Sequence, residues 1–266
     1  MCLILFAKNA HPKYKFILAA NRDEFYNRPT ASAAFWNDAP NLLAGKDLVH
    51  GGAWLGITKT GRFATVTNYR DPNQPTGKRS RGALVIDFLL GAISVSEYSQ
   101  EVEKVSDEYT GFNLLVGDFG NDGNELAYFS NRGDEIKMLN TGFYGLSNHL
   151  LDAPWQKVLR GKKSFSEIIS NESEISLTSL FNILQNKTFA KDEDLPNTGI
   201  GNERERILSP MFIETPIYGT RCSTVLLIGN DNSVTFAEKS YHPIQPETIE
   251  LFDINSKNDP LKYSEF

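Results

Sequence analysis

An α+β fold is the class that this 266-residue sequence predicts. Apolar, strand-like runs occupy both ends of the chain, and helix-like segments lie between them. No stretch has the composition of a linker between two halves. We therefore expect one interleaved domain over residues 1–266, with a loose polar tail from about residue 255.

The first predicted element is a β-hairpin. Residues 2–8 and 15–21 are apolar runs on either side of a polar turn that contains Pro12. If the turn centres just before Pro12, the numbers of two residues that lie opposite each other in the antiparallel hairpin sum to about 23. Cys2 then lies opposite Asn21.

This register also predicts which side chains share a face. Side chains alternate along a strand, so Asn21 and Asp23 would lie beside Cys2. Arg22 would point away from the cysteine. The hairpin alone therefore predicts an amide and a carboxylate next to the thiol.

The later elements follow from periodicity and from turn residues. Apolar runs bounded by Gly and Asn predict strands at Trp54–Thr58, Arg62–Asn68, Phe112–Asp118, Glu125–Ser130, Glu135–Leu139, Phe143–Ser147, 217–229 and 233–240. Helical patterns cover 82–91, 96–107, 153–170 and 176–186, with Ser94 or Ser96 as the cap of the second. The polar segment 187–203, which contains Pro and Gly, predicts a surface loop.

Composition narrows the class of protein. The net charge of −6 argues against a nucleic-acid binder, which usually has a basic face. Two cysteines form no disulfide framework, and no apolar window approaches the roughly 18 residues of a membrane span. We expect no signal peptide, no stable membrane insertion and a cytoplasmic location. The oligomeric state stays open.

Cys2 is the residue with the most specific chemistry. If Met1 is removed, Cys2 carries both a thiol with a pKa near ~8.5 and an α-amine with a pKa near ~7.7–8.0. An adjacent base that activates a thiol is a known form of covalent catalysis. A retained Met1 would block the amine. The alternative is that Cys2 is a small apolar residue at the start of a strand.

The segment Ala19-Ala20-Asn21-Arg22-Asp23-Glu24-Phe25 resembles the signature of the NRDE family, which is named for Asn-Arg-Asp-Glu and includes the transport and Golgi organisation protein 2 homologues. Further blocks resemble the same family and fall in the expected order: Gly51-Gly52-Ala53-Trp54-Leu55-Gly56-Ile57, Thr67-Asn68-Tyr69-Arg70, Ser80-Arg81-Gly82, Gly111-Phe112-Asn113-Leu114, Gly145-Leu146-Ser147-Asn148 and Tyr218-Gly219-Thr220-Arg221. The resemblance covers residues 2 to about 240.

The resemblance implies a fold and a set of catalytic residues. The NRDE family looks like a branch of the N-terminal-nucleophile hydrolases, a four-layer αββα sandwich of two antiparallel sheets flanked by helices. In the cysteine acylases of that fold, the cysteine after the initiator Met attacks an amide carbonyl. By motif, Cys2 matches the nucleophile, Asp23 the amine-orienting carboxylate, Asn68 and Asn148 the oxyanion donors, and, more loosely, Arg221 a supporting arginine.

One departure concerns a second arginine. The acylases carry an arginine upstream of the matching Asn-x-Asp pattern, and the alignment puts Ala20 there. Arg22 is the candidate replacement, although the predicted alternation points it away from Cys2.

Further side chains are candidates for binding a substrate or ligand. Aromatic rings suit an apolar body, and arginine forks suit carboxylates or phosphates. The set comprises Asn21, Arg22, Glu24, Arg28, Trp54, Tyr69 and Arg81. No metal is predicted, because the four histidines show no metal-ligand spacing.

Structural roles compete with several of these assignments. Glu24 and Arg28 would serve equally well as an ion pair that fixes a loop. Asn68 and Asn148 would satisfy turn backbone, which Asn commonly does. Cys222, inside an apolar strand, is interpreted as a buried hydrophobe.

Three functions follow. The first is a cysteine amidohydrolase or acyltransferase for a small amide, which requires no cofactor. The second is a non-enzymatic carrier, for which the family resemblance implies haem or acyl-coenzyme A as ligand. The third is an interaction protein with a vestigial site.

Overall fold

The computed structural model describes residues 2–74, 76–120 and 123–254. The strands are β1 (Cys2–Lys8), β2 (Tyr14–Phe25), β3 (Thr30–Trp36), β4 (Ala39–Asp47), β5 (Leu55–Thr58), β6 (Arg62–Asn68), β7 (Phe112–Asp118), β8 (Glu125–Ser130), β9 (Lys137–Met138), β10 (Gly142–Leu146), β11 (Tyr218–Gly229), β12 (Ser233–Ser240) and β13 (Thr248–Asp253). The α-helices are α1 (Arg81–Leu90), α2 (Val95–Lys104), α3 (Gln156–Asn171), α4 (Leu177–Leu184) and α5 (Asn202–Ile207).

The strands form two antiparallel sheets. The first has the order β10-β1-β2-β11-β12-β13, and the second has the order β3-β4-β5-β6-β7-β8-β9. The first sheet therefore joins the two ends of the chain, because β1 and β2 pair with strands that follow residue 140. This arrangement places Cys2 in the interior of a sheet built from distant segments.

Three apolar clusters define four layers. Even-numbered residues of β1 and β2, such as Phe6 and Phe16, pack against the second sheet, where Phe63 lies. Odd-numbered residues of β1 and β2 pack against α3 and α4. The outer face of the second sheet packs against α1 and α2. The predicted four-layer αββα architecture is confirmed.

The register of the first hairpin differs from the predicted one. Cys2 lies opposite Arg22, and Asn21 lies opposite Leu3. The pairs from Cys2 with Arg22 to Lys8 with Phe16 centre the turn on Pro12 rather than just before it. Within this turn, Asn9 has a left-handed conformation with φ 48°, and its N–H donates to the Lys15 carbonyl. A slip of one residue exchanges the two faces of a strand. Arg22 therefore shares a face with Cys2, whereas Asn21 and Asp23, both predicted to lie beside the cysteine, are on the other face.

The other differences are local. The sequence patterns missed β3, β4, β13 and the short α5, which lies at the end of the segment expected to be a loop. The helix α2 begins at Ser94, whose side chain and that of Glu97 form a capping box. The tail expected from about residue 255 lies outside the described residues.

Candidate active site

A cavity of about 490 Å³ opens where the two sheets meet near the start of β1. Its wall contains Cys2, Arg22, Asp23, Glu24, Arg28, Asp47, His50, Ala53, Trp54, Val66, Asn68, Thr76, Gly77, Lys78, Arg79, Ser80, Arg81, Gly82 and Thr110. Most of the candidates predicted from sequence are in this wall.

Cys2 is half-buried at the beginning of β1. Burial raises the pKa of the thiol, and the Arg22 guanidinium and the backbone N–H of Asp23 oppose this shift. The backbone is fixed as well, because Ser147 Oγ donates to the Cys2 carbonyl at 2.9 Å. The thiol is therefore held in place and needs a base to ionise near neutral pH.

Arg22 is 7% exposed, and its guanidinium lies over the Trp54 ring. Its guanidinium carbon is 4.1 Å from the centroid of the Trp54 ring. Among the residues that the structure describes, the guanidinium donates no hydrogen bond and forms no ion pair. A buried arginine normally has such partners. The arrangement leaves its N–H groups available to an acceptor in the cavity.

Asp23 is buried on the helix side of β2, where it accepts a hydrogen bond from Thr220 Oγ1 at 2.7 Å. Burial raises the pKa of this carboxyl group, and the positive charge of Lys157 opposes the shift most strongly. Lys157 extends from α3, is itself buried, and donates to the Leu208 carbonyl at 3.0 Å. Burial lowers the pKa of Lys157 to about 8.

The two candidate oxyanion asparagines occupy different positions. Asn68 ends β6 in the cavity wall. Asn148 is fully buried and is absent from that wall, and its side-chain amide donates to the Asn68 carbonyl at 2.8 Å. Asn148 thus holds the backbone that presents Asn68. The motif match predicted both asparagines as oxyanion donors, but only Asn68 lies in the cavity wall.

The basic part of the wall begins at α1. Lys78 and Arg79 precede the helix, and Arg81 at its first position donates to the Gly111 carbonyl at 3.1 Å. The helix start lies tightly against the Gly51-Gly52 turn, because a Cβ on Gly52 would be 2.6 Å from the Gly82 carbonyl carbon. These glycines allow two backbones to meet at the cavity.

Glu24 and Arg28 form the opposite rim. Arg28 binds Asp47 through two hydrogen bonds of 3.1 and 2.8 Å, and its Nε is 3.9 Å from Glu24. Burial alone would raise the pKa of Asp47, but the hydrogen bond from Arg28 lowers it. Asp47 was not predicted as a site residue, and its pair with Arg28 is closer than the pair of Glu24 with Arg28.

Besides Asn148, three predicted residues lie outside the cavity wall. Asn21 points toward the helices and donates to the Leu184 and Met211 carbonyls. Tyr69 is outside the cavity wall, and its hydroxyl bonds to His149 Nε2 at 2.9 Å. Arg221 is the extra residue of a bulge in β11 and donates to the carbonyls of Phe25, Arg28 and His242. It supports the rim from behind.

Sequence reasoning missed Lys157 and the buried pair formed by Arg70 and Glu205. A signal for Lys157 existed, because positions 157, 161, 165 and 169 of α3 form its buried stripe, and a lysine in such a stripe is unusual. No comparable signal marks Glu205, which lies on a short helix in a polar segment.

The layers, the sheet order and the position of Cys2 define an N-terminal-nucleophile hydrolase fold. A solved structure of the Caenorhabditis elegans N-acylethanolamine-hydrolyzing acid amidase ortholog has the same fold, with a TM-score of 0.50 and 13% sequence identity, over 85% of this chain and 92% of that one. At this identity the similarity concerns the fold.

Sequence comparison gives the family. The model of the Transport and Golgi organisation 2 family matches residues 1–243, and the chain belongs to this family. It is 36% identical over 260 residues to the Transport and Golgi organization protein 2 homolog of Homo sapiens, covering 90% of this chain and 93% of that protein. It is 31% identical over 273 residues to the Drosophila melanogaster Transport and Golgi organization protein 2, covering 92% and 94%.

Proposed function

We propose that this protein is a cysteine hydrolase that cleaves an amide bond in a small substrate carrying an acidic group. The observation that carries this proposal is the presence of Cys2, Arg22, Asp23 and Asn68 in the wall of one cavity. The fold and the family support a hydrolase-like protein, and the choice of an amide bond is our inference.

The proposed reaction begins after removal of Met1. The free α-amine of Cys2 takes the thiol proton, and the thiolate attacks the amide carbonyl carbon. Asn68 is proposed to donate to the oxyanion, and such a donor typically contributes about 10²–10³ in rate. The carbon–nitrogen bond then breaks, the amine leaves with the proton from the α-ammonium, and water hydrolyses the thioester on Cys2. Asp23 orients the α-amine.

The acidic group of the substrate follows from Arg22. Its cross-strand position next to Cys2 implies that an anion bound to the guanidinium would lie close to the reacting carbonyl. Arginine binds carboxylates through paired hydrogen bonds. An N-acyl amino acid, which carries its carboxylate close to the amide, is therefore the substrate class that we infer.

The test uses the whole protein and its second cysteine as an internal control. Intact mass should first show loss of Met1. Incubation with N-lauroylglycine should then release glycine and give a transient lauroyl thioester, which Cys2→Ala abolishes and Cys222→Ser retains. A processed protein that forms no thioester and releases no glycine would contradict the proposal.

A second function is supported by the charge of the cavity. Its wall contains five Lys and Arg side chains (Arg22, Arg28, Lys78, Arg79 and Arg81), and of its three carboxylates Asp47 is neutralised by Arg28. A carrier of haem or acyl-coenzyme A would use these cations for propionates or phosphates. Tight binding of either ligand by Cys2→Ala, with no turnover by the unaltered protein, would favour the carrier.

A further inference from the structure

Four large apolar side chains are exposed around the mouth of the cavity. Phe25 is 51%, Leu48 55%, Val49 49% and Ile217 68% exposed. We call these four residues the apolar rim. Isolated exposed apolar residues are common on protein surfaces, but a contiguous group often marks an interaction site.

The three loops that carry the apolar rim are joined to one another by backbone hydrogen bonds. Tyr26 N–H donates to the Ile217 carbonyl at 2.9 Å, and Leu48 N–H donates to the Pro29 carbonyl at 3.0 Å. In addition, the Phe25 ring contacts the Tyr218 ring edge-on, with centroids 5.2 Å apart. The three loops therefore form one connected surface.

The same loops form part of the cavity wall. Phe25 follows Glu24, and Leu48 and Val49 lie between Asp47 and His50, three residues that line the cavity. The apolar rim is thus at the edge of the proposed active site rather than on a remote face of the molecule.

Positive charge accompanies the apolar rim, although the whole chain has a net charge of −6. Lys78 and Arg79 are exposed on the opposite wall of the cavity mouth. Arg79 is partly neutralised by two carboxylates, Glu108 at 3.4 Å and Asp87 at 3.9 Å, whereas no ion pair to Lys78 is found among the described residues. The mouth therefore combines exposed apolar side chains with local basic charge.

This combination fits the surface of an anionic bilayer. Apolar side chains enter the boundary between headgroups and acyl chains, and nearby cations are attracted to anionic lipids. A protein partner on the same surface would cover the cavity mouth, whereas a bilayer would leave a path for an amphiphilic ligand. In the described part of the chain, no helix is long and apolar enough to span a bilayer, so contact would be peripheral.

We propose that the apolar rim and Lys78 dock this protein on anionic membranes, so that an acyl-bearing ligand passes from the bilayer directly into the cavity. The docking surface excludes Cys2 and the residues proposed to act on the scissile bond. Membrane docking can therefore be tested separately from the proposed hydrolysis.

The test measures binding to vesicles of phosphatidylcholine, with and without phosphatidylserine, by flotation. The full chain should float with the phosphatidylserine vesicles and be released by salt, because salt screens the charge attraction. The double variant Leu48→Ser with Val49→Ser should weaken binding by at least roughly tenfold. Lys78→Glu should weaken it as well, and Cys2→Ala should bind like the unaltered chain.

A matched control removes two apolar side chains that are equally exposed but lie elsewhere. Leu90, at the far end of α1, is 57% exposed, and Leu251, on the edge strand β13, is 71% exposed. The double variant Leu90→Ser with Leu251→Ser should keep full vesicle binding. Circular dichroism and unfolding curves should show all variants folded.

Three results would overturn the proposal. The first is no flotation with phosphatidylserine vesicles. The second is an equal loss of binding in the rim variant and the control variant. The third is self-association that depends on Leu48 and Val49 without vesicle binding, which would assign the apolar rim to a protein interface. Loss of amide hydrolysis with intact flotation would refute the proposed reaction alone.

Discussion

Replacement of Arg22 by Met tests the proposed anion site most directly. Methionine keeps an unbranched apolar stem beside the Trp54 ring, but it is shorter than arginine and carries no charge and no hydrogen-bond donor. Because the guanidinium donates no hydrogen bond to described protein groups, the change leaves no buried acceptor unsatisfied.

The expected cost in stability is therefore small. The main loss is the cation–π contact at 4.1 Å, which is worth about 0.5–2 kcal/mol. Removal of a buried charge offsets part of that loss. We expect the free energy of unfolding of Arg22→Met to fall by about 1 kcal/mol or less.

The expected loss in ligand affinity is larger. A hydrogen bond to a charged group contributes about 1.5–3 kcal/mol, which corresponds to a factor of about 10–150 in the dissociation constant. The assay compares N-lauroylglycine with N-lauroylethanolamine, which replaces the carboxylate with a hydroxymethyl group. Calorimetric binding in the Cys2→Ala background separates affinity from turnover.

Arg22→Met should weaken binding of the acid by that factor and leave binding of the alcohol nearly unchanged. Arg22→Lys should give an intermediate loss, because lysine keeps the charge but not the paired donors. Equal losses for the two ligands would refute the role of Arg22 in binding an anion. If the free energy of unfolding of Arg22→Met falls by more than about 3 kcal/mol, Arg22 is a structural residue.

Three further predictions concern the support of the site. Gly45→Ala places a Cβ 2.3 Å from the Trp54 ring, so it should lower the free energy of unfolding by about 1–3 kcal/mol in urea titrations. The control Gly133→Ala places a Cβ whose nearest neighbours are at 3.5 Å, so it should have little effect. Equal losses of stability in the two variants would refute the packing argument. Asn148→Ala removes the bond to the Asn68 carbonyl and should cost about 1–3 kcal/mol, whereas Asn68→Ala should affect turnover more than stability. Lys157, with its pKa lowered to about 8 by burial, binds a proton less readily in the folded state than in the unfolded state, so stability should rise as pH increases from about 8 to ~10.4. Lys157→Met should remove this rise, of about 3 kcal/mol, from unfolding curves measured on either side of that window. An unchanged pH dependence would show that burial does not lower the pKa of Lys157.

The strands that the sequence patterns missed show where local patterns fail. The strands β3 and β4 are rich in Ala and include Pro40 and Gly45, which have low β-propensity. They form because their neighbours in the second sheet supply the pairing and the apolar cover. Gly45 is needed there because the Trp54 ring occupies the space of a side chain.

The sequence predicted only part of the site, because the position of its other residues also depends on strand pairing. Motif order identified Cys2, Asp23 and Asn68, which all line the cavity. The hairpin estimate placed Asn21 and Asp23 on the face of Cys2, and it was wrong because the turn centres on Pro12 itself, which shifts the register by one residue. The same shift brought in Arg22, which local alternation had excluded.

By itself, the sequence determined most helices and hairpins and the position of Cys2 at the start of a strand, because these depend on periodicity within short segments. Its motifs determined the family, and the αββα layers were an implication of the resemblance to that family. The tertiary structure alone decided which side chains face the cavity, which ones brace it from behind as Arg221 and Asn148 do, and that Lys157 lies near Asp23. Strand register and the approach of distant segments are set by pairing and packing across the whole chain, and these are long-range contacts that no local pattern encodes.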